Sequence, residues 1–401
     1  MATLVQSTKV VIVGGGNAGH ALAALLPHKG FPTTMYCPFE DEAERMRAGI
    51  AEQGHVIARF ASHNDPAGDI TGAPLKISKD PAEVIPQADV IIMPLPSFAY
   101  IPVLEDIKAH LQPGQRICVT PGQGGFDWIA HEVLGDELFK QLTFYAVMPM
   151  PFNCRVQEFG KLVPVQEFKR RYRVGCVPGS EIDSVVELNA AMFGHTEPCG
   201  LVLACSLYPI NAVLHPSRLF SLLRDWTRSR EPLKENPFFY EEMTPHCTAK
   251  MDEVNAELLK VVERWAGAGL QLNVPHIFDF LARYVYSDEA PTLCDFFTKQ
   301  PAYKGFRCPL SPHHESKGWV PDFRNRYFTE DIPMGLCLYK GVADIVGVET
   351  PKIDEIILWA QEHMGKEYVR EGKLAGDHAA ETTAPQRFGI RSLEELRARY
   401  S

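Results

Sequence analysis

Short apolar runs alternate with longer helix-forming runs along the first half of the chain. The clearest apolar runs are Lys9–Val13, Ala88–Met93, Arg116–Thr120 and Thr143–Val147, and the helix-forming run Ala21–Leu26 follows the first of them. Ala88–Met93 is apolar on both faces of an extended chain, which is typical of a strand in the middle of a sheet. The alternation predicts a parallel sheet with crossover helices.

Weaker signals complete this half. A hydrophobic period near 3.6 predicts a helix over Ile182–Phe193. Two β-rich runs, His55–Phe60 and Leu75–Ser78, are expected to form a local hairpin. We also expect an acidic helix over Glu40–Ile50, and strand character over Thr33–Cys37, Cys154–Val165 and Tyr172–Val177.

The pattern changes at Pro198-Cys199-Gly200, after which the β alternation stops. The second half is predicted to form helices over Leu201–Leu214, Pro216–Asp225, Lys250–Ala266, Pro275–Val285, Met334–Val346 and Ile353–His363. We therefore expect an α/β domain over residues 1–199 and an all-α domain over residues 200–401.

A glycine-rich turn joins the first strand to the first helix. Its glycines have the spacing of a dinucleotide-binding fingerprint, G-x-G-x-x-G. Gly14 permits the tight bend, Gly16 lets the backbone approach a pyrophosphate, and Gly19 lets the helix lie close to the strand. In a Rossmann domain the helix N-terminus then faces the phosphates. The candidate cofactor contacts are Gly14, Gly16, Asn17, Ala18 and Gly19, and a purely structural turn is the alternative.

Composition narrows the class of protein. The 401 residues are 45% hydrophobic and 22% charged, with a formal net charge of −10. The longest basic cluster, Phe168–Arg173, is expected to be a solvated turn, so no nucleic-acid surface is predicted. No apolar stretch reaches the roughly 18–20 residues that cross a bilayer, and the N-terminus lacks a signal segment. We expect a cytoplasmic protein that does not bind membranes.

Cysteine and histidine spacing gives no sign of a metal centre. The ten cysteines stand singly, several of them inside apolar runs. The fourteen histidines form no H-E-x-x-H motif, and the His313-His314 doublet lies in a Pro/Ser-rich segment. We expect reduced thiols in the core and no bound metal.

Two segments of the second half carry polar residues suited to catalysis. Asn211 and His215 are four residues apart, on one face of an apolar helix. In the charged and aromatic segment Pro321–Gly335, Arg326 is suited to clamping a carboxylate and Asp331 to orienting an imidazole. The alternatives are a satisfied core histidine, arginines in surface pairs, and a helix cap formed by Asp331 or its neighbour Thr329.

Two residues at strand ends of the first half are candidate binding residues. Gln123 follows the strand Arg116–Thr120 in a glycine-rich turn, where its amide would lie beside a nicotinamide or a small polar substrate. Its alternative role is that of a turn residue. Pro94 directly follows the strand Ala88–Met93 and is a further candidate cofactor contact.

These segments together resemble the opine dehydrogenases of marine invertebrates. The resemblance runs almost from end to end and is carried by Gly14–Gly19, Gln123–Phe126, Cys154–Gly160, His215-Pro216, Asn325–Gly335, Trp359–Glu362 and Ala384–Gly389. It implies an N-terminal Rossmann domain, an all-α C-terminal domain and an active site in the interdomain cleft. It also implies NADH-dependent reductive condensation of a 2-oxo acid, usually pyruvate, with an amino acid.

The resemblance also implies roles for individual residues. His215 matches the family's catalytic acid/base, Asp331 its carboxylate partner, and Arg326 the group that holds the carboxylate of the oxo acid. Gln123 matches a residue that contacts the oxo acid. A monomer and regeneration of NAD in anaerobic glycolysis are implied as well.

Details of the sequence bear on the cofactor and the amino acid. NADH is favoured over NADPH, because no arginine directly follows Tyr36-Cys37-Pro38 to receive a 2′-phosphate. That strand end also lacks the usual ribose-binding aspartate, and Glu40 and Asp41 come slightly later.

Members of the family that accept arginine carry an acidic residue where this chain has Met148, so arginine is disfavoured. Arg218 and Arg324 either lie on the surface or add positive charge near the site. The second possibility favours taurine, followed by alanine, β-alanine and glycine. Two other functions stay open: a 2-oxo acid reductase, and a non-catalytic NAD-binding sensor.

Overall fold

The computed structural model describes residues 7–169, 171–208, 210–227, 231–267, 269–270, 272–282, 290–313 and 317–400. The chain divides into two compact units, one reaching Cys205 and including Tyr400, the other spanning Ser206–Arg399. The boundary expected between residues 199 and 200 lies shortly before this division and stays a prediction. Parts of four predicted features lie outside the described residues, namely Arg170, Pro209, residues 283–285 and His314.

The first unit contains an eight-stranded and a four-stranded sheet. Its strands and helices, in chain order, are β1 (Val10–Val13), α1 (Asn17–His28), β2 (Thr33–Tyr36), α2 (Glu42–Gln53), β3 (Val56–Phe60), β4 (Gly68–Gly72), β5 (Lys76–Ser78), β6 (Val90–Met93), α3 (Tyr100–Ile107), β7 (Arg116–Val119), α4 (Phe126–Phe139), β8 (Thr143–Met148), β9 (Phe152–Cys154), β10 (Leu162–Phe168), β11 (Tyr172–Val177), α5 (Ile182–Phe193) and β12 (Thr196–Gly200).

The large sheet has the strand order β12-β11-β8-β7-β6-β1-β2-β5. The six strands from β8 to β5 are parallel, whereas β11 runs antiparallel to β8. β6 lies between β1 and β7 and is buried throughout, as predicted for a central strand. This is the order of a Rossmann domain with two added strands, and it brings the carboxyl ends of β1, β6 and β7 to one edge.

The predicted hairpin between His55–Phe60 and Leu75–Ser78 is wrong. β3 pairs antiparallel with β4 and parallel with β10 in the four-stranded sheet, whereas β5 pairs with β2 in the large sheet. β4 contains one buried residue, Ile70, so its hydrophobic signal is too weak to identify a strand. The small sheet packs closely on α1, because a Cβ at Gly72 would lie 2.2 Å from the Ala24 carbonyl oxygen.

The solvated turn predicted for the basic cluster Phe168–Arg173 is wrong for two of its basic residues. Lys169 and Arg173 are both buried, and burial lowers the pKa of Lys169 to about 8. The guanidinium of Arg173 lies 3.5 Å from the carboxylate of Glu197. Arg171, by contrast, is exposed. All ten cysteine thiols are free, and nine of them are buried, as expected for core residues.

The second unit is helical. The elements that follow β12, in chain order, are α6 (Val202–Ser206), which spans the division, α7 (Asn211–Leu223), α8 (Pro245–Gly267), α9 (Ile277–Phe280), α10 (Leu293–Lys299), β13 (Leu310–Pro312), β14 (Trp319–Pro321), α11 (Arg326–Thr329), a π-helix (Asp331–Leu336), α12 (Cys337–Val346), α13 (Pro351–Met364) and α14 (Leu393–Ala398). A two-stranded antiparallel ribbon, β13 and β14, is added to the predicted helices. No helix in the described ranges is long and apolar enough to cross a bilayer.

The position of the break between two predicted helices is wrong. The helix breaks between Ser206 and Asn211, and α7 then continues through Pro216. A proline inside a helix removes one backbone hydrogen bond, in this case to the Ala212 carbonyl. Most of α7 is buried, and this burial offsets the lost bond. Asn211 and His215 consequently lie on the first turns of a buried helix.

Candidate active site

The glycine turn of the first unit has the geometry of a dinucleotide-binding turn. Gly14 has a φ of +89°, where a side chain would be strained. A Cβ at Gly19 would lie 2.1 Å from the Gly14 carbonyl oxygen, so this position requires glycine for packing. Gly16 is exposed, and a Cβ there would meet no protein atom within 4 Å. Packing within the protein therefore does not require glycine at position 16, and the open space there leaves room for a ligand to approach the backbone.

The N-terminus of α1 suits the pyrophosphate of such a ligand. Gly16 is its N-cap and Asn17 its first residue, and the first turn contains no acidic side chain. The N–H groups of the first helical turn, which have no partner within the helix, and the positive end of the helix dipole attract an anion at this point. Ala18 is buried in the same turn. These residues fit NAD.

The Cys154–Gly160 segment is fastened to the glycine turn by two side chains of α1. The Val156 N–H donates to Asn17 Oδ1 at 2.9 Å, and the Gly160 N–H donates to His20 Nε2 at 2.7 Å. His20 Nδ1 is 2.9 Å from the Gly16 carbonyl oxygen, so the ring is neutral with its proton on Nδ1. Burial lowers the pKa of His20. The side chain of Asn17 therefore supports the loop, a role that its spacing did not predict.

A carboxylate contacts the glycine turn from α2. The Gly15 N–H donates to Glu42 Oε2 at 2.8 Å, and burial raises the pKa of Glu42 although this bond opposes the shift. The sequence drew attention to Glu40 and Asp41 instead. Glu42 is the first residue of α2. It therefore lies several positions after the strand end at which Rossmann domains usually carry an acidic residue.

Pro94 and Gln123 lie at the carboxyl ends of neighbouring strands. Pro94 directly follows β6, and Gln123 is half-buried in the turn after β7, where its N–H donates to the Pro121 carbonyl at 3.0 Å. A Cβ at Gly122 would come within 2.5 Å of Ala146 Cβ, so this turn packs tightly on β8. Both residues share the sheet edge of the glycine turn.

His215 and Asp331 form a buried pair in the second unit. His215 Nδ1 is 2.7 Å from Asp331 Oδ2, although the residues are 116 positions apart. They are 7% and 6% exposed. A carboxylate at Nδ1 fixes the tautomer and orientation of an imidazole and stabilises its protonated form. The second ring nitrogen, Nε2, takes no part in this bond and is suited to exchanging a proton with a substrate.

Two aromatic rings contact the imidazole of His215. The Tyr327 ring is stacked on His215, with 3.8 Å between centroids and an interplanar angle of 17°. Phe239 contacts the same imidazole at 5.5 Å and 75°. The sequence marked Tyr327 only as part of a motif, because a stack between residues so far apart leaves no local signal.

Two adjacent carboxylates, Glu330 and Asp331, contact the candidate residues Arg326 and His215. Glu330 and Asp331 stand where α11 passes into the π-helix, a form of helix that is frequent at functional sites. Glu330 Oε2 lies 2.8 Å from Arg326 Nη2, and the Arg326 side chain is 59% exposed. Asp331 binds His215 instead. The proposed capping role is wrong, since the Thr329 hydroxyl donates to the Asn325 carbonyl.

The two additional arginines differ in their surroundings. Arg218 is only 4% exposed, so the surface location weighed for it is wrong. Its Nε donates to the Phe239 carbonyl at 3.1 Å and its Nη2 to the Phe238 carbonyl at 3.4 Å. Arg324 is exposed. Across the described residues, no cluster of three or more metal-ligating side chains is present.

Comparison with known proteins gives matches over both units. Residues 9–126 match the family described as NAD-dependent glycerol-3-phosphate dehydrogenase N-terminus. Residues 198–364 match the family described as NAD/NADP octopine/nopaline dehydrogenase, alpha-helical domain.

Single proteins match almost the whole chain. Tauropine dehydrogenase of Arabella iricolor is 32% identical, over 96% of this chain and 99% of its own. Octopine dehydrogenase of Pecten maximus is 31% identical, over 98% and 99%. A solved structure of octopine dehydrogenase with NADH and pyruvate has a TM-score of 0.84 at 28% identity, over 97% of this chain and 98% of the other.

Proposed function

Since the chain belongs to the opine dehydrogenase family and is an NAD-dependent dehydrogenase, we propose that it catalyses the reductive condensation of pyruvate with a small amino acid. The reaction acts on a CH–NH group and regenerates NAD, as anaerobic glycolysis requires. The observation that carries this proposal is the buried pair of His215 and Asp331. We propose a monomeric, cytoplasmic enzyme.

His215 is the proton-transfer group of the proposed reaction. Condensation of an amine with a carbonyl needs a neutral amine and then expels water, so one group must accept a proton and return it. An imidazole does both near neutral pH. Asp331 holds the ring by Nδ1, which directs Nε2 to the substrate. NADH, when bound, supplies the hydride that reduces the resulting imine.

Arg326 and Gln123 position the oxo acid. Arg326 binds the carboxylate of pyruvate through the exposed part of its guanidinium, which the ion pair with Glu330 orients. Gln123 contacts the same substrate through its side-chain amide. The cofactor is held by Gly14, Gly16, Asn17, Ala18, Gly19 and Pro94. Of these, Asn17 contributes its position at the start of α1, since its side-chain oxygen is bonded to Val156.

Taurine is the first choice of amino substrate. The similarity to a tauropine dehydrogenase supports it, and alanine, β-alanine and glycine follow. Arginine is disfavoured, because a buried methionine, Met148, stands where arginine-accepting members carry an acidic residue. Arg218 is one of two arginines whose positive charge, if near the site, would favour taurine. It does not support that choice, since two backbone carbonyls accept hydrogen bonds from its guanidinium. Arg324 remains the exposed cation near Arg326 in the sequence.

A panel of amino acids tests the proposal. The purified protein is mixed with NADH, pyruvate and taurine, alanine, β-alanine, glycine or arginine in turn, and the NADH absorbance is followed. We expect loss of absorbance that requires one of the first four, in wild type and in the control His28→Gln, but not in His215→Asn. Equal loss without any amine would identify a 2-oxo acid reductase. NADH binding without turnover in any mixture would identify a sensor.

A further inference from the structure

We propose that Tyr327 is a positioning residue, whose ring face holds the imidazole of His215 in one plane and favours its protonated form. The inference rests on the proposed function, because it takes His215 as the proton-transfer group. Tyr327 precedes Asp331 by one helical turn, so one short segment supplies both the carboxylate and the ring. Neither composition nor motif spacing assigns this role.

The geometry of the stack supports an electrostatic effect. The rings are nearly parallel, at 17°, with centroids 3.8 Å apart. The face of an aromatic ring is its electron-rich side, and a cation over that face is attracted to it. Phe239 stands nearly perpendicular to the imidazole, at 75°. Tyr327 is therefore the ring whose face the imidazolium charge would meet over its whole area.

Neighbouring groups hold the Tyr327 ring in place. Its backbone N–H donates to Asn325 Oδ1 at 3.0 Å, and its ring contacts Phe239 at 5.2 Å. Its hydroxyl is hydrogen-bonded to that of Tyr240, whose ring is stacked on Tyr303 at 4.2 Å. Burial raises the pKa of Tyr240, and the bond to Tyr327 acts in the same direction, so Tyr240 stays neutral. The stack is thus fixed from the backbone, the ring edge and the hydroxyl.

The charged groups around His215 leave a distinct role for Tyr327. Asp331, from the π-helix, is bonded to Nδ1. Arg218, from the next turn of α7, directs its guanidinium to the carbonyls of Phe238 and Phe239, and the Cys247 thiol of α8 faces that guanidinium. Glu330, which directly follows α11, pairs with Arg326. Replacing Tyr327 therefore changes the ring face and leaves these ionic contacts in place.

Histidine NMR tests the inference without requiring turnover. The Cε1–H signal of His215 is assigned by its loss in His215→Asn and titrated in wild type, Tyr327→Phe and Tyr327→Leu. Loss of the ring face is expected to move the titration midpoint by about half a pH unit or more toward lower pH. Tyr327→Phe retains the face and is expected to stay within about 0.2 units. Tyr327→Met, whose flexible side chain fills irregular space, is measured in parallel in case the leucine variant does not fold.

The matched control is Phe239→Leu, which removes the perpendicular ring and leaves Tyr327. We expect its midpoint to move less than that of Tyr327→Leu. An unchanged midpoint in both ring-free Tyr327 variants, or an equal shift in Phe239→Leu, would overturn the inference. In kinetics, the pH at which kcat/KM for pyruvate is halved should move with the NMR midpoint. If the ring-free Tyr327 variants show the NMR shift but wild type has no amine-dependent turnover, the proposed function fails while the contact between Tyr327 and His215 stands.

Discussion

Lowering the pH is expected to lower the stability of the first unit, because the buried imidazole of His20 must stay neutral to keep its hydrogen bonds. The ring is fully buried and uses both nitrogens, accepting from the Gly160 N–H and donating to the Gly16 carbonyl. Only the neutral ring makes both bonds. A proton on Nε2 would face the Gly160 N–H and release the Cys154–Gly160 segment from the glycine turn.

The sign and size of the effect follow from linkage. Burial lowers the pKa of His20 in the folded protein below its ordinary value of 6.5, so the unfolded chain binds the proton first as the pH falls. The contribution of neutral His20 to the free energy of unfolding is fully present above pH 6.5. It is lost as the pH falls from 6.5 through the pKa that His20 has in the folded protein. If the buried ring stays neutral throughout, the loss between pH 6.5 and 5.5 is about 1 kcal/mol.

Urea unfolding at pH 7.5, 6.5 and 5.5 measures this effect. His20→Gln removes the titrating group, and His28→Gln, an exposed position on the same helix, is the matched control. We expect wild type and His28→Gln to lose about 1 kcal/mol more than His20→Gln between pH 6.5 and 5.5. His20→Gln should also be less stable at pH 7.5, because it cannot reproduce both backbone bonds. An identical pH dependence in wild type and His20→Gln would refute the reasoning.

Further predictions concern the proposed dyad and the glycine turn. His215→Asn should lower kcat/KM in steady-state assays by about 10²–10⁴-fold, while NADH affinity measured by fluorescence stays unchanged. Asp331→Asn should lower it at least tenfold, and the double variant should be no worse than His215→Asn, because the residues act as a unit. Gly16→Ala should weaken NADH binding with an unchanged urea midpoint. Gly19→Ala should lower that midpoint markedly, because its Cβ would lie 2.1 Å from the Gly14 carbonyl oxygen.

The features that the sequence predicted correctly depend on local constraints. The bounds of α5 agree with the hydrophobic period over Ile182–Phe193. The Gly14–Gly19 turn is recognisable because Gly14 and Gly19 each meet a local steric constraint. The family was identified from motifs spread over both halves, and the comparisons confirm it. Hydrophobic periodicity and glycine spacing thus predict helices and turns whose form is set by nearby residues.

The errors arose where distant contacts override local pattern. β4 is a strand because β3 provides its partner, and α7 runs through Pro216 because its surface is buried. Arg218 looked like a surface charge, since the carbonyls that bind it lie some twenty residues away. The stack of Tyr327 on His215 and the bond from Gly15 to Glu42 are likewise contacts between distant segments. No periodicity reports such contacts.

Product analysis is the most direct test of the claim that His215 and Asp331 catalyse an amine-dependent reduction. NADH, pyruvate and taurine are incubated with the protein, and the products are quantified by mass spectrometry beside the NADH consumed. We predict one secondary amine, joining pyruvate and taurine, for each NADH oxidised by wild type, and none from His215→Asn. Formation of the 2-hydroxy acid instead, or an undiminished yield from His215→Asn, would contradict the claim.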